Sequence, residues 1–220
     1  MKTTVRWSTA IAAVLFLEFA GVPQMLAQAV GAPKLRWDIT TTQPGPGGVP
    51  PSPTNLAKLV PGGIASAWAY NPAGAPRLKI TVTGSGTFSP FDATDVSGGG
   101  EFIIQRWNAS AGLLEDVSSG TYRVTEMVSF NEVATAPPFV SYINGITNTT
   151  SEDLRVGHLV LRIAYSDGSR GLLIVSCSAG GYQFEGIAAS KGFVTFANHE
   201  SPNIRVCLGC NFPLFTILRN

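Results

Sequence analysis

Charge is scarce in this sequence. Only 13% of its 220 residues are Asp, Glu, Lys or Arg, about half the usual share of roughly 25%. The 15 basic and 14 acidic residues leave a formal charge of +1, and 45% of the chain is hydrophobic. That balance excludes disorder driven by charge, which needs high net charge and few apolar residues. It also excludes the basic footprint that displaces counterions from phosphates, so no nucleic-acid partner is expected. Histidine (2) and cysteine (3) are rare as well. Long apolar runs are missing, and after Val30 no stretch holds a 3.6-residue period for ten residues. Missing too are a GxSxG elbow, a P-loop and a dinucleotide fingerprint. No cofactor is therefore expected.

What is present begins with an export signal. Lys2 and Arg6 precede an apolar stretch, Ala10 to Leu17, and Pro23 and Ala27-Gln28-Ala29 follow it. Basic region, apolar region and small-x-small site come in the order of a cleaved signal peptide. A spanning helix would need about 20 apolar residues, and Glu18 and Pro23 interrupt any such run. We expect residues 1–29 to be removed, leaving a secreted or periplasmic chain without a membrane span. The removal takes away Lys2, Arg6 and Glu18 and leaves a neutral protein.

Residues 30–63 read as one short strand and a linker. Leu35, Trp37 and Ile39 alternate with polar neighbours, and six prolines and five glycines then fall between Gln43 and Gly63. Proline lacks the N–H that a ladder needs. Residues 64–220 read as a single all-β domain, an antiparallel sandwich or barrel of about 8–10 short strands. Leu78, Ile80 and Val82 alternate with Lys79, Thr81 and Thr83. Tyr122, Val124, Val128 and Phe130 share one face, onto which Glu126 also falls. Asp167-Gly168 predicts a two-residue hairpin turn. In that register Ile163 faces Leu172, Leu161 faces Ile174 and His158 faces Cys177. Ser151 to Leu154 could cap a single helical turn.

At YSDGSRGLLIVSC (Tyr165–Cys177) and FEGIAASKGFV (Phe184–Val194) the chain resembles a family of exported, uncharacterised bacterial proteins. Thr83–Phe88 (TGSGTF) and Gly98–Gly100 extend the likeness over about Ile64 to Asn198. The resemblance implies export and an all-β fold, and it brings no activity with it.

Three sets of residues could carry chemistry. Cys177, Cys207 and Cys210 would meet an oxidising compartment, which favours a structural disulfide over a redox CxxC. His158, Cys177 and His199 are the candidates for a metal, although their spacing fits no zinc pattern and no metal is expected. Glu126 and Glu185 lie in apolar surroundings that would raise a carboxyl pKa and suit it to acid–base work. Trp37, Trp68 and Trp107 could stack on sugar rings or pack in the core. The reading that follows is an exported, non-enzymatic domain that binds a small ligand, a glycan or a protein. Its rivals are a hydrolase or isomerase with a carboxylate-lined barrel pocket, and a structural cell-surface component.

Overall fold

The structure, a computed structural model, describes residues 33–43, 57–135, 142–147, 153–177, 185–199 and 211–218. The segment expected to be a signal and residues 44–56 of the linker lie outside the described residues, as do Ser151 and Glu152 of the proposed helical turn. Every regular element described is a strand. The first half of the chain contributes β1 (Lys34–Gln43), β2 (Ala57–Pro61), β3 (Ala65–Tyr70), β4 (Pro76–Val82), β5 (Ser85–Ser89), β6 (Asp92–Val96) and β7 (Gly99–Asn108). The second half contributes β8 (Leu113–Thr135), β9 (Tyr142–Asn144), β10 (Leu154–Tyr165), β11 (Arg170–Cys177) and β12 (Gly186–Lys191). The last three are β13 (Val194–Phe196), β14 (Asn198–His199) and β15 (Asn211–Leu218). Segments outnumber the strands expected because short breaks divide longer runs. Thr83-Gly84 separates β4 from β5, and Ala197 alone separates β13 from β14.

The sheet closes. Strands β10, β15, β1, β5, β7 and β8 pair in that order, and β8 returns to β10, giving a six-stranded antiparallel barrel with further strands outside it. Closure removes the exposed edges that an open sheet must otherwise protect. The outer strands come round as well. Segment 194–199 pairs with β12 through Val194–Phe196 and with β3 through Asn198 and His199. The path β3–β4–β7–β8–β10–β11–β12 therefore meets itself, and β7, β8 and β10 form a wall common to both rings. Strand β1 belongs to this body, since it pairs with β15 along Lys34–Thr41 and with β5 along Leu35–Asp38.

One hydrophobic cluster fills the interior. Inward residues of alternating strands supply it: Phe102 and Ile104, Leu159 and Leu161, Leu173 and Val175, with Phe196 from the closing segment. Trp37, Phe88 and Phe215 join it from β1, β5 and β15. Phe88, Phe130 and Phe215 meet edge to face, with centroids 4.9, 5.3 and 6.2 Å apart. Such pairs contribute about 0.5–1.5 kcal/mol beyond their buried area.

The β10–β11 hairpin differs from the expected register by one residue. Gly168 N–H donates to the Tyr165 carbonyl, Tyr165 N–H donates to the Ser169 carbonyl, and Gly168 has φ 85. This is a three-residue loop ending in a left-handed glycine. Leu161 therefore pairs with Leu173, and His158 with Ser176. A one-residue slip turns a strand over, so Leu173, Val175 and Cys177 face the core while Leu172 and Ile174 face out.

Candidate functional site

The carboxylates singled out from sequence do not converge. Strand β8 carries irregularities opposite Val160/Leu161 and Arg162/Ile163. Each extra residue shifts the inward parity, so Val124 and Met127 are both buried and Val128 is exposed. Glu126 is turned outward by this shift and meets the Arg162 guanidinium at 2.9 Å. Glu185 is buried just before β12. The apolar setting expected of Glu126 is thus replaced by an exposed ion pair.

His158 and Cys177 are also parted by the slip. His158 Nδ1 lies 2.7 Å from the Ser176 hydroxyl, whereas Cys177 pairs with Gly157 and points into the core. Of His199 only the backbone is described, pairing with Ala67. Among the described residues no group of His, Cys, Asp and Glu is placed to hold a metal. Cys207 and Cys210 lie outside the described residues.

Two polar features are built into the barrel. Arg36 donates to Asp38 through Nε (2.7 Å) and Nη2 (2.8 Å). Asp38 is fully buried. Its burial pushes the carboxyl above its ordinary range, against the pull of the Arg36 bonds. The second feature is at the hairpin tips. Lys191 contacts the Asp167 carboxylate and stands over the rings of Tyr165 (5.1 Å) and Phe102 (5.6 Å). The Lys191 ammonium, with Ser169 assisting, holds the Asp167 carboxyl well below the usual range. Tyr165 donates its hydroxyl to the Ser190 carbonyl (2.9 Å), and burial raises its pKa.

The antiparallel order gathers four turns at one end of the molecule: β3–β4 (71–75), β7–β8 (109–112), β10–β11 (166–169) and β12–β13 (192–193). Two of these tips, β10–β11 and β12–β13, are tied to each other, and the first is also tied to strand β8. Lys191 bonds Asp167, Gly192 N–H donates to the Arg170 carbonyl, and Ser166 N–H donates to the Thr121 carbonyl. Aromatic side chains stand exposed at or beside these turns: Tyr70, Trp107 and Phe193, the last 108% exposed. Leu113, at the β7–β8 turn, is also exposed. An apolar groove on β11–β13 is lined by Leu172, Ile174, Ala188, Ala189, Ser190 and Thr195.

Sequence reading singled out Trp107 here but not Tyr70 or Phe193. Their local signal is an aromatic beside turn residues, as in Tyr70-Asn71-Pro72 and Gly192-Phe193. Trp37, by contrast, is a core residue, and Trp68 lies under Lys79 at 5.4 Å. Among the described residues no helix is long and apolar enough to cross a membrane. No protein-family model, no curated protein and no solved structure matches the chain.

Proposed function

We propose that the chain is an exported, non-enzymatic binding module whose recognition surface is the turn-bearing end of the barrel. The observation that supports this reading is the contrast between interior and rim. Aromatic and aliphatic side chains fill the core, while Tyr70, Trp107 and Phe193 are exposed at or beside turns, and the turn that bears Phe193 is tied to the β10–β11 tip. Holding large apolar groups exposed has a cost that a partner would repay. Export rests on residues 1–29, and the secreted form should have an intact mass beginning at or near Val30. A structural disulfide through Cys207 or Cys210 belongs to the same reading, and non-reducing peptide mapping would locate it.

One observation favours the hydrolase alternative, the buried carboxylate of Glu185. A panel of chromogenic esters and glycosides, with arrays of immobilised glycans and lipids, separates the two. Retention on an array that is lost in the Trp107→Ser/Phe193→Ser double variant supports the binding module. Turnover that falls in Glu185→Gln overturns it.

A further inference from the structure

The two ends of the barrel differ in charge as well as in apolar exposure. Around the turn-bearing end stand the cations Arg77, Lys79, Arg106 and Arg170, with Lys191 already matched to Asp167. The carboxylates there are Glu101, which faces Thr121 beside the Ser166 tip, and the neighbouring pair Glu115 and Asp116. Each of that pair is engaged by a neutral amide, Glu115 accepting from Asn108 (2.7 Å) and Asp116 from Gln105 (2.9 Å). With Lys191 and Asp167 cancelling, the four cations outnumber the three carboxylates by one at this end.

At the opposite end the balance reverses. The β5–β6 turn carries Phe91, 80% exposed, directly beside Asp92. Asp95, Glu132 and the buried Asp153 and Glu185 lie on the same side, with Lys34 and Arg155 taken up by Asp95 and Glu132. An exposed aromatic is thus present at both ends, but only one end combines aromatics with excess positive charge.

From this combination we infer that the turn-bearing end docks on an anionic lipid bilayer surface, an inference that rests on the binding-module reading above. Aromatic side chains with a polar edge, such as Trp and Tyr, favour the depth of the lipid headgroups. A phenylalanine on a tip can pass below that depth. Basic residues within a Debye length of an anionic leaflet are attracted to it. The geometry suits a broad, flat partner, because the aromatics rise from separate turns rather than lining one pocket. The contact is superficial: the barrel is apolar inside, the inverse of a lipid-embedded barrel. Lys191 fixes the root of the β12–β13 tip through Asp167 and the Tyr165 and Phe102 rings. Gly192, at φ 58, then turns the chain so that Phe193 projects.

The test is flotation of the purified secreted protein with phosphatidylcholine vesicles, with and without phosphatidylglycerol. We expect partition onto the vesicles containing phosphatidylglycerol and weaker partition onto the neutral ones, with binding that declines as salt is raised. Phe193→Ser should lower the partition coefficient by roughly tenfold or more, the factor that burial of one large apolar side chain contributes. Arg106→Gln combined with Arg170→Gln should abolish the preference for phosphatidylglycerol. Phe91→Ser should leave partition unchanged. All three variants lie on exposed positions, and an unaltered far-UV circular dichroism spectrum verifies their folds. Equal partition on both vesicles, or a loss in Phe91→Ser matching that in Phe193→Ser, would overturn the inference. Absence of vesicle binding together with retention on a glycan array through the same rim would overturn the lipid partner alone. Absence of both would overturn the binding module with it.

Discussion

The wall and the seams of this barrel are closed by different forces. Along the wall, β8 and β10 pair over the whole length from Arg155–Thr135 to Tyr165–Tyr122, interrupted by three bulges, and β10 and β11 pair from Gly157–Cys177 to Ala164–Arg170. The seams of the six-stranded ring are thin. Strand β5 meets β7 only at Ser85–Gly99, and β10 meets β15 only at Leu154–Thr216 and Arg155–Phe215. A ladder of backbone bonds tolerates side-chain change, because the bonds do not depend on the side chains. A seam with one or two pairs needs side-chain packing to hold it. Here the packing is the Phe88–Phe130–Phe215 cluster on one side and bare glycine backbone against Trp37 on the other.

The largest expected effect comes from emptying a seam. Phe88 is fully buried and contacts both Phe130 and Phe215. Phe88→Ala should cost about 3–5 kcal/mol, the range for removing a buried aromatic. Thermal unfolding followed by circular dichroism should show a fall in Tm of roughly 10 °C. Hydrogen exchange of the variant should accelerate first in β1, β5 and β15, with β8 and β10 following. Uniform acceleration would mean that the seams are no weaker than the wall.

The glycine seam should yield less. A Cβ on Gly86 would press on the Ser97 carbonyl oxygen, on Gly98 Cα at 2.7 Å and on Trp37 Nε1 at 2.7 Å. Two of these atoms are backbone and cannot swing aside. Gly86→Ala should therefore destabilise by about 1–3 kcal/mol, as overpacking does, again read from Tm. A neutral result would show that the two strands can part at this point without loss.

Much of the strand content was legible in the sequence. The alternation of Leu35, Trp37 and Ile39 marks β1, and that of Leu78, Ile80 and Val82 marks β4. Both are periodicities of a half-buried strand. The pairing was not legible. Strand β1 finds its partner β15 at the far end of the chain, and alternation says which face is dry without saying which strand lies alongside. Gly84, Gly86 and Gly98–Gly100 leave no mark in the alternation, yet they permit the close approach at the seam. The face of Glu126 was misjudged because a bulge leaves no mark in hydropathy. Asp167-Gly168 allowed two loop lengths that differ by a full inversion of β11. The rim was hidden for a related reason. Tyr70, Trp107 and Phe193 are far apart in sequence and reach one end of the barrel only through the meander order.

The smallest expected effect concerns the tip of the wall and depends on pH. Lys191 and Ser169 hold the Asp167 carboxyl below its ordinary range in the folded chain, while the unfolded value is about 3.9. A carboxyl depressed by folding stabilises the fold above its unfolded pKa, and that stabilisation is lost as the pH falls below it. Asp167→Asn keeps an acceptor for the Ser169 N–H and hydroxyl but removes the charge facing Lys191. The variant should melt slightly below the parent protein at pH 7, and the difference should shrink as the pH is taken below about 4. Added salt should shrink it too, because Asp167 is half exposed and its field is screened. Paired Tm measurements across pH and salt check both trends. A difference that persists unchanged at pH 3 would place the stabilisation in the turn geometry, and Lys191 would then owe its position to Phe102 and Tyr165 alone.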